Sequence, residues 1–202
     1  YQYIFQALSI IHTETNRLIG VSIIKETENY CVIRDFSANL EQEFEPSVRR
    51  IFLLLKDIAS DFLKALENKD IILLKNIEEK HDTVTKFISY CLRMLSKGAI
   101  NNDCNKSMLI YHILASLDNI VDVYKYVSRD FAPNFKKPVS KEALKLITEI
   151  NEGLNSYYEL YYSFNNKNCE QFMKLRDNFK KHLFAETKKL NEEELLLITY
   201  LD

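Results

Sequence analysis

The sequence contains few of the residues that make tight turns. Of its 202 residues, only three are glycine and three are proline, and tryptophan is absent. A β-sandwich or β-barrel needs many tight turns, for which this chain has little material. The scarcity of glycine and proline therefore favours long helices.

Long apolar runs and a secretory signal are also absent from the sequence. No apolar run reaches the roughly 18 residues of a membrane-spanning helix, so we expect no membrane insertion. The four cysteines, which have no zinc-like spacing, are Cys31, Cys91, Cys104 and Cys169. This cysteine pattern predicts reduced thiols in a cytoplasmic protein. Because the chain starts at Tyr1 rather than at methionine, we expect it to be a piece of a longer protein.

Charge and motif content argue against nucleic-acid binding and catalysis. The net charge is −2, and acidic and basic residues alternate along the chain. No broad cationic surface for nucleic acid is predicted from these residues. The sequence has no G-x-S-x-G motif, no glycine-rich phosphate loop and no H-E-x-x-H motif. We therefore predict that the chain is not an enzyme.

The residue pattern predicts one β-hairpin followed by a series of helices. Apolar, β-branched or aromatic runs at 21–24 and 30–33 flank a polar segment, which predicts a hairpin. From residue 45 onward the apolar residues recur at helical spacing, interrupted by a loop with two prolines at 132–138. The predicted helices are 46–67, 71–96, 107–131, 141–164, 169–186 and 191–202.

The predicted fold is mainly α, with two consecutive three-helix units preceded by a short β-hairpin. We place a hairpin and linker segment at 1–42, the first three-helix unit at 43–132 and the second at 139–202, where its last helix is cut off. A weak repeat supports this division, because the string ending at Asp118 resembles the string ending at Asp202.

The first candidate site is the pair Asp118 and Asp122, four residues apart on one predicted helix. Two like charges at this spacing cost an isolated helix a few tenths of a kcal/mol. A hard cation such as magnesium, manganese or iron would offset that cost with carboxylate ligands. The alternative is an acidic helix edge in water, neutralised by Lys125 and Arg129.

The second candidate site is a cluster of Glu78, His81, Asp82 and Thr85 on the preceding helix. If this flank faced Asp118 and Asp122, carboxylates and an imidazole would meet in the bundle, as in helical metal sites. The alternative is a semi-buried His81 satisfied by a neighbour, with Glu78 and Asp82 in water. A di-metal enzyme would need a second Glu-x-x-His element beside Glu78-x-x-His81, and the sequence has none.

These segments together resemble a known family. The hairpin string RLIGVSIIKETENYCVIRDF, followed by PSVRRIFLLLKDIASDFLKALENKD, IEEKHDTVTKFISYCLRML and LASLDNIVDVYKYVSRDFA, is similar to the archaeal branch of the PhoU-like phosphate uptake regulators. In that branch an AbrB-like DNA-binding segment comes before the hairpin, and the resemblance implies that this chain begins after such a segment. Asp118 and Asp122 match one acidic motif of the family, whereas His81 and Thr85 stand where another has two aspartates.

The resemblance implies a non-catalytic, cytoplasmic regulator of phosphate uptake or phosphate signalling. It implies phosphate transporter subunits or a sensor kinase as partners, a homodimer, and iron or another divalent metal at the acidic helix flanks. DNA binding would occur through the N-terminal segment outside this chain. The alternative is a metal-free helical dimerisation or scaffold module of a transcriptional regulator.

Overall fold

The computed structural model describes residues 2–27, 30–36, 40–100, 103–131 and 138–201. These residues are mainly helical, with a two-stranded antiparallel hairpin ahead of the long helices, which confirms the predicted fold class. The elements are α1 (Gln2–Asn16), β1 (Val21–Glu26), β2 (Cys31–Asp35), α2 (Leu40–Asn68), α3 (Ile71–Ser96), α4 (Cys104–Tyr126), α5 (Lys141–Tyr162), α6 (Asn166–Glu186) and α7 (Glu192–Leu201). Two predicted features, the proline-containing loop at 132–137 and Asp202, lie outside the described residues.

The α2 helix begins earlier than the sequence predicts. Pro46 indicates a helix start near residue 45, yet α2 begins at Leu40, so the proline lies inside it. Proline lacks an N–H and cannot donate to the preceding turn of the helix. The extra turn carries Phe44, which is almost completely buried, and burial of a phenylalanine contributes about 2–3 kcal/mol. Tertiary packing therefore outweighs the local effect of Pro46.

Contacts divide the chain into two compact units. The first takes in Tyr1–Ile51 and Thr83–Ser116, and the second takes in Phe52–Asp82 and Leu117–Asp202. The segments proposed from the sequence, 1–42, 43–132 and 139–202, describe the order of elements along the chain, and their boundaries stay a prediction.

In the first unit the hairpin is attached to α3, and the core is formed by buried residues of α2, α3 and α4. Strands β1 and β2 pair with Ile23 opposite Ile33, and a bulge follows at Ile24. Arg93 of α3 donates to the carbonyl of Ile19 just before β1, and Lys97 lies 2.5 Å from Asp35 at the end of β2. These contacts attach the hairpin to α3. The main core residues of the unit are Val48, Ile51, Val84, Ile88, Cys91, Met94, Ile110 and Leu114.

The second unit has an aromatic centre around Phe52 of α2. Its ring lies 5.2–6.1 Å, centroid to centroid, from four tyrosines of α5 at helical spacing, mostly edge to face. These tyrosines are Tyr157, Tyr158, Tyr161 and Tyr162. They pack around the buried ring of Phe52, and this contact joins α5 to α2.

None of the helices that the structure describes combines the length and the apolar character needed to cross a membrane.

Candidate functional site

Two of the predicted site residues, Asp82 and Asp122, contact His81 within the second unit. His81 of α3 lies on the buried face of its helix, and its side chain is only 7% exposed. Its Nε2 is 2.7 Å from Oδ1 of Asp122 on α4, and its Nδ1 is 3.0 Å from Oδ1 of Asp82. The flank of α3 that carries His81 therefore faces Asp122 of α4.

The imidazole ring thus sits between two carboxylates. A carboxylate only accepts hydrogen bonds, so the neutral ring can donate to one of these partners and the protonated ring to both. Asp122 is 40% exposed and Asp82 is 66% exposed, whereas His81 is buried. The contact with Asp122 is therefore the better shielded of the two. It is also the one that joins α3 to α4, because Asp82 lies beside His81 on α3.

The remaining predicted site residues take a smaller part in this cluster. Glu78 is exposed to solvent one turn before His81. Asp118 is half-buried one turn before Asp122 and has interactions of its own. The structure therefore joins His81, Asp82 and Asp122, and it does not add Glu78 to them.

The hydrogen-bond partner of Asp122 differs from the two basic residues that the sequence suggested. Arg129 donates two hydrogen bonds to its neighbour Asp130, at 2.8 and 3.0 Å. This contact raises the pKa of Arg129 and lowers the pKa of Asp130. Lys125 lies over the ring of Tyr126. His81, 41 positions away in sequence, is the nitrogen partner of Asp122.

The contact between His81 and Asp122 is a hydrogen bond and not the joint ligation of one metal ion. Two ligands of one metal ion each lie about 2.0–2.2 Å from it, which separates their donor atoms by roughly 3 Å or more. The 2.7 Å between His81 Nε2 and Asp122 Oδ1 is instead a hydrogen-bond distance. Within the described ranges, no three or more His, Cys, Asp or Glu side chains are grouped as a metal site. A metal at Asp118 and Asp122 stays a prediction.

The half-buried amide of Asn151, which the sequence did not predict as a site residue, joins three helices of the same unit. The hydroxyl of Tyr124 on α4 donates to Oδ1 of Asn151 on α5 at 2.9 Å. The Nδ2 of Asn151 donates to the carbonyl of Ala59 on α2, also at 2.9 Å. Burial raises the pKa of Tyr124, which keeps its hydroxyl protonated as the donor. Asparagine inside an apolar helix stripe was the available signal, because an amide in such a stripe needs partners.

Glu194, which the sequence analysis also did not single out, is a buried carboxylate at the start of α7. It accepts from the backbone N–H of Asn191 at 3.1 Å, and Asn191 Oδ1 accepts from the N–H of Glu194 at 2.9 Å. This reciprocal pair is a capping box, which the spacing Asn191-x-x-Glu194 could have indicated. Glu194 also accepts from the N–H of Ser140 at 2.6 Å, so it ties the start of α5 to the start of α7.

Comparison with known proteins adds no relative to this description. The chain matches no protein-family model, and no curated protein and no solved structure is detectably similar to it. The likeness to PhoU-like regulators therefore stays a prediction from sequence strings and their order.

Proposed function

We propose that this chain is a non-catalytic regulatory module that acts through protein partners in phosphate uptake or phosphate signalling. The observation that carries the proposal is the order of elements, a hairpin at Val21–Asp35 followed by three long helices and then three more. The resemblance implies the same order. A shared order of elements supports a fold more than a function, so the phosphate role needs its own test.

The site around His81 contains a direct contact between two helices. His81 Nε2 and Asp122 Oδ1 form a hydrogen bond that packs α3 against α4. The non-catalytic part of the proposal comes from the family resemblance, because His–Asp pairs occur in structural and catalytic sites alike. The proposal rests on protein contacts and not on a bound metal.

Phosphate uptake in cells tests the regulatory role. We expect deletion of the gene to change the rate of radioactive phosphate uptake or its response to phosphate starvation, and the intact gene to restore it. Affinity capture from the same cells should recover a phosphate transporter subunit or a sensor kinase. Unchanged uptake in the deletion strain, together with capture of neither partner, would rule the proposal out.

Metal content tests the remaining part of the resemblance. Mass spectrometry would measure iron, manganese and zinc in the wild type, in Asp118→Ala/Asp122→Ala, and in the control Asp177→Ala, whose exposed carboxylate contacts Arg176. Stoichiometric metal in the wild type and the control that is lost in the double variant would establish the acidic flank as a metal site. Substoichiometric metal in all three proteins would remove metal from the proposal.

A metal-free dimerisation module is the second candidate, and exposed apolar residues on the hairpin favour it. Ile24, Ile33 and Phe36 are 43%, 48% and 54% exposed. A two-stranded hairpin alone is marginally stable, and its exposed strands can pair with another chain. We expect Ile24→Thr/Ile33→Thr to shift a dimer to monomer in sedimentation, while Ile72→Thr, at an exposed position on α3, leaves it unchanged. A wild-type chain that is monomeric at high concentration would exclude this candidate.

A further inference from the structure

The second unit contains a cavity that the regulatory proposal does not use. Helices α4, α5, α6 and α7 line a partly open cavity of about 380 Å³. Its lining is mainly apolar and includes Tyr157, Phe172, Phe179 and Leu201. An apolar cavity of about 150 Å³ accommodates benzene, so this one is large enough for a molecule of roughly 15 non-hydrogen atoms. Ligand sites in proteins have this size and character, and they occur between the helices of bundles.

A glycine in the middle of α5 keeps part of this space open. Gly153 lines the cavity, and a Cβ atom built on it would meet nothing within 4 Å. Packing within the protein therefore does not require glycine at this position. Glycine in a helix interior is destabilising relative to alanine. The presence of glycine at position 153 is explained if the open volume beside it admits a ligand.

Two charged residues, Glu149 and Arg176, line the cavity, and only Arg176 has hydrogen-bond donors available for a ligand. Glu149 is occupied by His182, whose Nδ1 lies 2.9 and 3.0 Å from its two oxygens. Arg176 gives two of its five N–H groups to Asp177 and has no other partner among the residues that the structure describes. The remaining guanidinium donors suit a carboxylate, which they bind in a charge-assisted contact.

We propose that this cavity binds an amphipathic monocarboxylate, with the apolar body between α4, α5 and α6 and the carboxylate on Arg176. The aromatic and aliphatic lining matches the apolar body, and Arg176 is the complementary charge. The site is independent of the phosphate role, so either proposal can fail without the other.

Calorimetric titration with decanoate, compared with decanol, tests the charge complementarity. We expect decanoate to bind the wild type about tenfold more tightly than decanol, and Arg176→Gln to remove that difference. A hydrogen bond to a charged group at a partly exposed site is worth about 1.5 kcal/mol, which is the tenfold change. Lys180→Gln, an exposed lysine of α6 outside the cavity, should keep the preference. Equal binding of the two compounds by the wild type would overturn the proposal.

Substitution of Gly153 tests the location. Gly153→Ala should weaken decanoate binding about fourfold, because its methyl group takes the place of one buried methylene of the ligand. The same substitution should raise the melting temperature, since alanine favours the helix. Binding and stability then change in opposite directions, which damage to the fold cannot produce. Gly153→Leu should abolish binding, and a leucine variant that binds as tightly as the wild type would overturn the proposal.

Discussion

Replacement of Asp122 by alanine distinguishes two interpretations of this residue. In the first, Asp122 stabilises the fold through its hydrogen bond with His81; in the second, it is a metal ligand that only repels Asp118 when no metal is bound. His81 is buried and uses Asp122 as the acceptor of its Nε2 at 2.7 Å. A buried donor or acceptor left without a partner costs about 1–3 kcal/mol. Asp122 is 40% exposed, so water can partly replace it, and we expect a loss of about 1 kcal/mol in the free energy of unfolding. For a chain of this length that loss lowers the melting temperature by about 2–4 °C.

The sign of the change is what decides between the two interpretations. If Asp118 and Asp122 were only two repelling carboxylates awaiting a cation, removal of one would stabilise the metal-free protein by a few tenths of a kcal/mol. Thermal unfolding with a chelator present measures the difference directly. Asp118→Ala removes the other member of the pair and leaves the His81 contact intact, so it should change stability less than Asp122→Ala. Asp122→Asn keeps an acceptor oxygen and should lose less than half as much as alanine does.

A melting temperature for Asp122→Ala equal to or above that of the wild type would refute this reasoning. It would mean that the His81–Asp122 contact contributes nothing and that the repulsion between Asp118 and Asp122 dominates.

Three further predictions concern groups away from His81. Asn151→Ala should lower the free energy of unfolding by about 2 kcal/mol, measured in urea, because it leaves the buried Tyr124 hydroxyl without its acceptor, and equal stability of the two proteins would contradict this. Glu194→Ala should cost about 1–2 kcal/mol by the same measurement, because it removes the acceptor of two backbone N–H groups, while Glu194→Gln should recover part of the loss. Burial, with the nearby charge of Glu45 as a smaller cause, raises the pKa of Cys91 to about 12. The folded state then holds a proton that the unfolded state has released between pH 9 and 12, so stability falls as the pH rises through that window. A Cys91→Ala variant should show a shallower fall in alkaline urea titrations, and an unchanged slope would contradict the assignment.

The fold was predictable because its signals are local in sequence. Long apolar stripes at helical spacing, the scarcity of glycine and the flanks of a hairpin each depend on neighbouring residues. The predicted helix 71–96 matches α3 at both ends. Boundaries were less predictable where packing competes with local preference, as at Pro46, where burial of Phe44 extends the helix.

The candidate site was only partly predictable, because its contacts join distant positions. Spacing placed His81, Asp118 and Asp122 on helix flanks, and it left open whether a cation, Lys125 or Arg129 balanced the acids. Arg129 instead contacts its neighbour Asp130.

The sequence by itself determined which segments are helical and which faces are apolar, since propensity and periodicity act over a few residues. Tertiary structure alone decided which polar groups meet. His81 reaches Asp122, and Asn151 reaches both Tyr124 and Ala59, because separate helices bring these residues within hydrogen-bond distance. The cavity beside Gly153 belongs to the same class of feature. It is a space left between four helices, and the sequence of each helix specifies only its own share of the lining.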